Sequence, residues 1–251
     1  MTPSLYKAIA TPDGKRRYVR ALFATIADRY DFITVALSYG QDRRWKRRVM
    51  ALAEPRPGLR VLDLATGTGD LAFAAAARGA RVVGLDITYR MIELARRKSQ
   101  PASPKIAGAV GARRRALQFL VGDMLALPFP AASFDIVTTG YGLRNVPDLP
   151  QAIEEIRRVL APGGRAVSLD FNRPVNTWIR CAYLAYLTVV GAALGWVLHG
   201  DPDTYRYIPA SIRHYPGAAV VARMFEDRGF SRVRHYRVLG GLMAIHHATR
   251  D

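Results

Sequence analysis

Val61-Leu62-Asp63-Leu64-Ala65-Thr66-Gly67-Thr68-Gly69-Asp70 joins an apolar run to two closely spaced glycines. Arg60 to Leu64 reads as a buried strand, the glycines as a tight turn that lets the backbone approach a ligand, and Asp70 to Arg78 as an alanine-rich helix. Ala80 to Asp86 is the next strand, and the three pieces form a βαβ unit. Outward from this unit the alternation continues. Met91 to Lys98 is helical, Leu117 to Val121 and Phe134 to Thr139 are strands, and Leu149 to Leu160 is a helix with Ile153, Ile156 and Leu160 on one face. Pro162-Gly163-Gly164 stops that helix and turns the chain into the strand Arg165 to Phe171. A helix from Ala218 to Gly229 and strands at Val233 to Val238 and Met243 to His247 complete the pattern. Strands and helices alternating at this spacing imply an α/β fold with a doubly wound, mostly parallel, seven-stranded sheet.

The 251 residues, half of them apolar, suffice for one large α/β core. The lone Cys181 excludes an internal disulfide and a cysteine-based zinc site, so no metal is expected and the chain fits a reducing cytoplasm. Met1-Thr2-Pro3-Ser4-Leu5-Tyr6-Lys7 lacks the apolar core of a secretion signal, and the start of the chain is expected to be retained. The formal net charge is +17, and 32 of the 37 basic residues are arginine. Two readings of this excess stand side by side: an anionic partner, either phosphate backbone or lipid headgroup, and a codon-composition bias with no partner at all. The clusters Arg43 to Arg48 and Arg113-Arg114-Arg115 read equally as solvated faces. No aromatic RNA-recognition motif accompanies them, which argues against nucleic acid. Cys181 to Leu198 runs 18 residues without a charge. A membrane span, a buried cap over a substrate site and a helix dipping into a membrane surface all fit that run.

The glycine loop admits two cofactors. Gly67, Gly69 and Ala72 satisfy a dinucleotide pattern, and Asp86, 19 residues beyond Gly67, is placed to accept hydrogen bonds from ribose hydroxyls. A dinucleotide would bring a pyrophosphate against Asp63 and Asp70, with no basic residue between Val61 and Ala77 to meet it. S-adenosyl-L-methionine carries no phosphate and brings an ammonium and a sulfonium, which acidic surroundings favour. Asp123 and Met124, after the third strand, are candidates for the adenine amino group and ring. Asp63 capping loop amides and Met124 packing in the core are the plain alternatives.

At this point the chain resembles the menaquinone/ubiquinone biosynthesis C-methyltransferases of the MenG/UbiE type, over nearly its whole length. The resemblance rests on Ala27-Asp28-Arg29-Tyr30-Asp31, Arg43-Arg44-Trp45-Lys46-Arg47 and the Asp63 to Asp70 loop. It continues through Ala126-Leu127-Pro128-Phe129-Pro130, Gly142-Leu143-Arg144-Asn145-Val146, Arg158 to Gly164, and Tyr205-Arg206-Tyr207-Ile208. It implies one methyltransferase domain with an N-terminal helical segment (1–55), a cofactor-binding core (56–172), a cap insertion (173–217) and a C-terminal helix with strands (218–251). It also implies methyl transfer from S-adenosyl-L-methionine to a ring carbon of a prenylated quinol, such as demethylmenaquinol. The family's cofactor contacts fall on Thr68, Asp86 with the adjacent Ile87, Asp123 and Met124, while Gly140 replaces a serine. Departures cluster on the substrate side. Tyr30-Asp31-Phe32-Ile33-Thr34, Asp42-Arg43 and Asp170-Phe171-Asn172 replace the family's Tyr-Asp-x-Met-Asn, His-Arg and Glu-x-Ser, and His214-Tyr215-Pro216 displaces a histidine. A paralogue acting on another lipidic or aromatic acceptor therefore stays open.

Methylating an aromatic carbon requires an ionised ring hydroxyl and in-line orientation, which removes about 7–11 kcal/mol of barrier in favourable cases. Arg144 and Asn145 follow the fourth strand at the sheet edge where ligands bind. An arginine stays protonated at working pH, so Arg144 is expected to stabilise the phenolate, Asn145 to orient a water or the quinol oxygen, and Tyr141 to adjoin the ring. The plain alternatives are a salt bridge from Arg144 to Glu154 or Glu155 and a turn role for Asn145. His199 and His214 are alternative bases. Tyr30, Tyr205, Tyr207 and Arg213 are candidates to line the acceptor pocket. The expected location is cytoplasmic, with peripheral contact at the inner face of an anionic membrane. Homo-oligomerisation stays open.

Overall fold

The computed structural model describes residues 5–38, 40–100 and 116–251. Its strands are β1 (Arg60–Leu64), β2 (Arg81–Asp86), β3 (Leu117–Val121), β4 (Phe134–Gly140), β5 (Leu160–Phe171), β6 (Phe230–Val238) and β7 (Met243–Arg250). They form one sheet in the order β3-β2-β1-β4-β5-β7-β6. The first five neighbours pair in parallel, with Leu62 opposite Val83 on one side and Val137 on the other. β7 runs antiparallel between β5 and β6. The mostly parallel, seven-stranded, doubly wound α/β sheet expected from the alternation is the fold observed.

The period-2 geometry of a strand sends neighbouring residues to opposite faces, and β1 shows this directly. Leu62 and Leu64 enter the core under α7 (Leu149–Val159) and the later helix Ala218–Glu226, where Ile153, Ile156, Val221 and Phe225 are buried. Val61 enters the opposite core with Trp45, Val49, Leu71, Ala75, Ile92 and Ala95. Those residues belong to α4 (Asp42–Ala53), α5 (Asp70–Ala76) and α6 (Tyr89–Lys98). Each fully buried Ile or Leu contributes about 1.5–3 kcal/mol of transfer free energy. Before the sheet come α1 (Leu5–Ala8), α2 (Pro12–Ile26) and α3 (Tyr30–Leu37), and after β5 come α8 (Thr177–His199), α9 (Tyr207–His214) and α10 (Ala218–Glu226).

Element boundaries differ from the sequence reading, most of all in β5, which begins at Leu160 and carries Pro162-Gly163-Gly164 inside it, because Leu160 already pairs with Phe134 ahead of a register shift. α10 ends at Glu226, and β6 begins at Phe230, three residues before Val233. A register shift between Ser231 and Arg234, with Arg232 at φ 48°, breaks the alternation there, so the start of the strand carries no period-2 signal.

The long apolar run lies in α8, a 23-residue helix of mean hydropathy 1.8, long and apolar enough by composition to cross a membrane. Its inner face is nevertheless built into the fold. Tyr183, Leu184 and Leu187 pack with Ile212 of α9, and a Cβ on Gly191 would lie 3.2 Å from Tyr205. Its outer face is bare: Trp178 is 86% exposed, and Val189 and Trp196 are each 69% exposed. The buried-cap expectation therefore holds for one side of the helix only.

Candidate active site

β1, β2 and β4 deliver their carboxyl ends to one edge of the sheet, where an open α/β fold places its ligands. The glycine loop turns there. Gly69 sits at φ 96°, and a Cβ would approach the Phe73 ring to 2.7 Å and the Phe119 ring to 3.0 Å, so only glycine fits without rearrangement. Asp86 accepts hydrogen bonds from the amides of Gly67 (3.0 Å) and Thr88 (2.8 Å), pinning the loop to the end of β2. Burial raises the pKa of this carboxyl.

Asp63, expected at the cofactor, is buried at the end of β1, where it borders a small cavity beside the loop, accepts from the hydroxyls of Thr66 (2.6 Å) and Thr138 (2.7 Å), and is pushed up to about 6 by burial. It braces the loop. Thr68 is likewise engaged, donating to Asp31 at 2.5 Å, and Asp31 pairs with Lys98.

Above the loop lies a cleft of about 700 Å³, the solvent at its mouth included. Gly67, Asp86, Ile87, Asp123, Met124 and Gly140 border it, as expected from the sequence, and so does Asn145. Leu85, Met91 and Met124 supply apolar walls, and α2 closes the cavity with Arg16, Val19 and Phe23. Asp123 accepts from the Leu125 amide at 2.9 Å and pairs with Arg16 Nε at 3.0 Å. At Gly140 a Cβ would meet Leu71 at 3.2 Å, a tight fit for the serine found in the resembled family. The absence of basic residues from Val61 to Ala77 does not survive in space, because Arg16 and Lys46 arrive from α2 and α4. Both are neutralised, Arg16 by Asp123 and Lys46 by Asp42 (2.6 Å) and Asp70 (2.7 Å). Among the described residues no uncompensated cation faces the loop to receive a pyrophosphate, whereas the carboxylates and apolar walls match an adenosyl group and a sulfonium.

A second cavity, about 740 Å³, lies beside the first, and Phe23, Tyr30 and Tyr141 border both. Its lining is aromatic and aliphatic, including Ile33, Trp45, Phe171, Tyr183, Tyr205 and Tyr207. Among the described residues Arg144 is the one charged member of its wall, on the 3-10 turn Leu143–Asn145 after β4. Its partner is neither Glu154 nor Glu155. Glu154 pairs with Arg228 and Glu155 with Arg158. The Arg144 guanidinium instead lies 3.6 Å from Asp170 on β5 and 4.6 Å from the Phe171 ring centre, and Nη1 donates to the Tyr141 carbonyl. Asp170 also accepts from the Arg144 amide at 3.0 Å, and burial raises its pKa. Arg144 Nε and the Tyr207 hydroxyl are buried with no hydrogen-bond partner. Both residues line this mostly apolar cavity, so its wall carries two side chains with an unpartnered donor. Asn145 Nδ2 donates to the Tyr141 carbonyl at 2.8 Å, which holds that turn.

The remaining expectations divide. Tyr205 is buried and its hydroxyl is 2.9 Å from His199 Nε2, with its pKa pushed up to about 12 by burial. This engagement, together with burial that lowers the His199 pKa, ties that histidine to Tyr205. His214 contacts the Ala210 carbonyl through Nδ1 at 2.9 Å, within its own helix. Arg213 is corrected: α9 turns Ala210, Ser211 and Ile212 inward and leaves Arg213 exposed, outside the linings of both cavities. Arg43, Arg44, Arg47 and Arg48 form a solvated face of α4, with Arg48 over the Tyr236 ring. Arg113-Arg114-Arg115 lies outside the described residues.

Sequence reasoning missed Lys15, Arg16, Asp42 and Lys46 as site residues. Lys15 Nζ donates to the carbonyls of Arg144 (3.1 Å) and Val146 (2.6 Å), fastening α2 to the Leu143–Asn145 turn and the residue after it. Burial, with Arg144 nearby, brings its pKa down to about 8. Only the Asp42-Arg43 departure pointed toward any of these four: Asp42 and Lys46 pair within one helix, but the partners that bring the four to the site lie 24 to 131 residues away.

A family model described as "ubiE/COQ5 methyltransferase family" matches residues 11–250. A demethylmenaquinone methyltransferase of Thermus thermophilus is 42% identical, covering 91% of this chain and all of its own. A ubiquinone/menaquinone biosynthesis C-methyltransferase UbiE of Dinoroseobacter shibae is 38% identical over 93% of this chain and 91% of its own. Among solved structures, a SAM-dependent methyltransferase from Thermotoga maritima matches with a TM-score of 0.62 at 16% identity, covering 93% of this chain and all of that one. One from Aquifex aeolicus matches at 0.55 and 17%, covering 82% and 89%. At those identities the structural likeness speaks to the fold, that of the S-adenosylmethionine-dependent methyltransferases.

Proposed function

Because the chain belongs to the ubiE/COQ5 methyltransferase family, we propose that it is the C-methyltransferase that converts a demethylated prenyl quinol, demethylmenaquinol first among them, to its ring-methylated form. The observation that carries this reading is the pair of cavities meeting at Tyr30 and Tyr141, one walled by Asp86, Asp123 and Met124, the other apolar with a single buried guanidinium.

S-adenosylmethionine supplies an electrophilic methyl group on a cationic sulfur. In this reading Asp86 receives the ribose hydroxyls, Asp123 the adenine amino group, and Met124 and Ile87 flank the ring, with Gly67, Thr68, Gly69 and Gly140 giving the backbone room. The quinol ring lies in the second cavity against Tyr30, Tyr141, Tyr205 and Tyr207. Arg144 donates through its free Nε to the ring oxygen as negative charge develops there, and Asn145 holds the turn that aims it. No covalent nucleophile is required, because orientation and charge stabilisation suffice for attack of an activated ring carbon.

The test is methyl transfer from labelled S-adenosylmethionine to reduced demethylmenaquinol, a demethylated ubiquinol precursor and a plastoquinol precursor, each dispersed in lipid. Methylated product from one of them supports the reading and identifies the ring. Tight cofactor binding with no product from any would redirect it to another aromatic acceptor.

A polyprenyl substrate resides in a bilayer, and the reading puts the enzyme in the cytoplasm against the inner face of an anionic membrane. What supports this is the outer face of α8. Trp178, Val189 and Trp196, separated by 11 and 7 residues, share one side of a 3.6-residue helix and are exposed. Leu194 and Leu198 of the same helix pack against Ile33 and Tyr205, which line the acceptor cavity, so the exposed stripe and that cavity are neighbours. Shallow insertion of tryptophans with basic support is the interfacial mode of binding. The protein is expected to sediment with liposomes containing anionic lipid, and the double variant Trp178→Ser/Trp196→Ser to bind about tenfold less at physiological salt. Equal sedimentation of the two proteins would remove α8 from membrane contact.

A further inference from the structure

Methylation of a quinol ring carbon releases one proton, and Arg144 cannot take it. The C-methyltransferase reading therefore leaves the acceptor of the quinol O–H proton unassigned, and the inference below rests on that reading. Tyr141 borders both cavities, so its ring stands where cofactor and quinol meet. It holds a left-handed backbone conformation, φ 62°, stabilised by the Arg144 and Asn145 contacts to its carbonyl. Its hydroxyl does not end in apolar surroundings. It donates to Asp42 Oδ1 at 2.6 Å, and Asp42 Oδ2 is 2.6 Å from Lys46 Nζ, which is 2.7 Å from Asp70 Oδ2. Side-chain exposure rises along that line, from 4% at Asp42 through 15% at Lys46 to 45% at Asp70. Tyr141, Lys46 and Asp70 also border a third cavity, about 320 Å³, beside the glycine loop.

We propose that Asp42 is the proton acceptor of the reaction, reached through the Tyr141 hydroxyl, and that Lys46 and Asp70 lead the proton to solvent. The quinol O–H bond breaks as its proton passes to Tyr141 Oη, while the proton of Tyr141 forms an O–H bond with Asp42 Oδ1. The resulting quinolate, with Arg144 at its oxygen, attacks the sulfonium methyl through the ring carbon. The proton on that carbon then moves to the oxygen to restore aromaticity. One proton in total is released, and it is the one Asp42 carries.

Charge makes this feasible. Burial and the adjacent Asp42 hold the Tyr141 pKa well above that of a free phenol, so the hydroxyl relays a proton without itself standing ionised. Lys46 is shared between two carboxylates, and protonating Asp42 leaves it paired with Asp70 rather than stranded. Among the described residues, Tyr30 and Asp31 on α3, Asp63 on β1 and Asp170 on β5 are further ionisable groups that act electrostatically on Tyr141 or Lys46. The Arg144 guanidinium stands beside Asp170.

Asp42→Asn imitates the protonated acid. Its carbonyl still accepts from Tyr141 and Lys46 still has Asp70, so folding and cofactor affinity are expected to stay as in the wild type. With saturating demethylmenaquinol and S-adenosylmethionine, kcat at pH 7 is expected to fall about a hundredfold with KM unchanged. Because the variant depends on quinol already ionised in solution, a group with a pKa of about 10 like tyrosine, its kcat should then climb about tenfold per pH unit. The wild-type rate should be nearly level over the same range. Tyr141→Phe removes the relay and leaves the acid, and is expected to show the same loss and the same slope. Either variant, binding cofactor as the wild type does and turning over at the wild-type rate at pH 7, overturns the proposal. So does a loss that is equal at every pH, which marks a structural role. A wild-type enzyme that methylates no quinol would fail the functional reading itself, whereas an active wild type with indifferent variants fails this inference alone.

Discussion

Arg144→Lys is expected to reduce methyl transfer to a prenyl quinol by about a hundredfold or more while leaving S-adenosylmethionine affinity unchanged. Removing one well-aimed donor from an oxyanion typically costs about 10²–10³ in kcat. Lysine keeps the positive charge but loses the planar fork. In the present site the fork does three things at once: Nη1 reaches the Tyr141 carbonyl, the guanidinium lies 3.6 Å from Asp170 and stacks on Phe171, and Nε is left free in the acceptor chamber. A single ammonium cannot repeat all three. Arg144→Met goes further. It leaves Asp170, 1% exposed, with three backbone donors and the field of Lys15 but without its paired guanidinium, and breaking a buried pair costs about 3–5 kcal/mol. The lysine variant thus separates the chemical role from the structural one. Steady-state kinetics with cofactor binding by calorimetry decides it. Unchanged turnover in Arg144→Lys would remove the guanidinium from the chemistry.

Asp86→Ala is expected to weaken S-adenosylmethionine binding by about a hundredfold, roughly 2.7 kcal/mol. The carboxylate has two duties. It organises the loop by accepting from the Gly67 and Thr88 amides, and in the proposed complex it offers its outward lone pairs to the ribose. Alanine leaves both amides buried without an acceptor, each costing about 1–3 kcal/mol, and also deletes the ligand contact. Asp86→Asn keeps one acceptor oxygen and is expected to lose less. A calorimetric dissociation constant for each variant checks the order, and equal affinity in wild type and Asp86→Ala would move the cofactor elsewhere.

What the chain makes legible follows from how local each signal is. The loop from Asp63 to Asp70 and the carboxylate at the end of β2 belong to one βαβ unit, so spacing alone brings Asp86 against Gly67. The apolar alternation of β1 anticipates the two cores, because Val61 and Leu62 have no choice but to face opposite sides. Contacts made across the sheet edge leave no such trace. Arg144 has carboxylates 10 and 11 residues ahead of it on α7, yet its partner is Asp170 at the end of the neighbouring strand, a pairing set by β4 and β5 lying side by side. Lys46 and Arg16 reach the loop from helices that precede the sheet, which is why a stretch without basic residues is not a site without cations. At Asp63 the sequence shows a carboxylate next to a glycine loop but not the two threonine hydroxyls that an interior β1 position brings to it. Arg213 fails for helical phase, since its neighbours Ala210, Ser211 and Ile212 already occupy the inward side of α9.

The most direct measurement is the position of the new methyl group. Wild-type protein, isotope-labelled S-adenosylmethionine and reduced demethylmenaquinol in lipid vesicles are incubated together, and the product is read by carbon NMR. A chamber that holds a quinolate oxygen on Arg144 and presents the ring to the sulfonium should yield a label bonded to a ring carbon, with both hydroxyls free. Label on oxygen, as a methyl ether, or no labelled quinol despite bound cofactor, would contradict it.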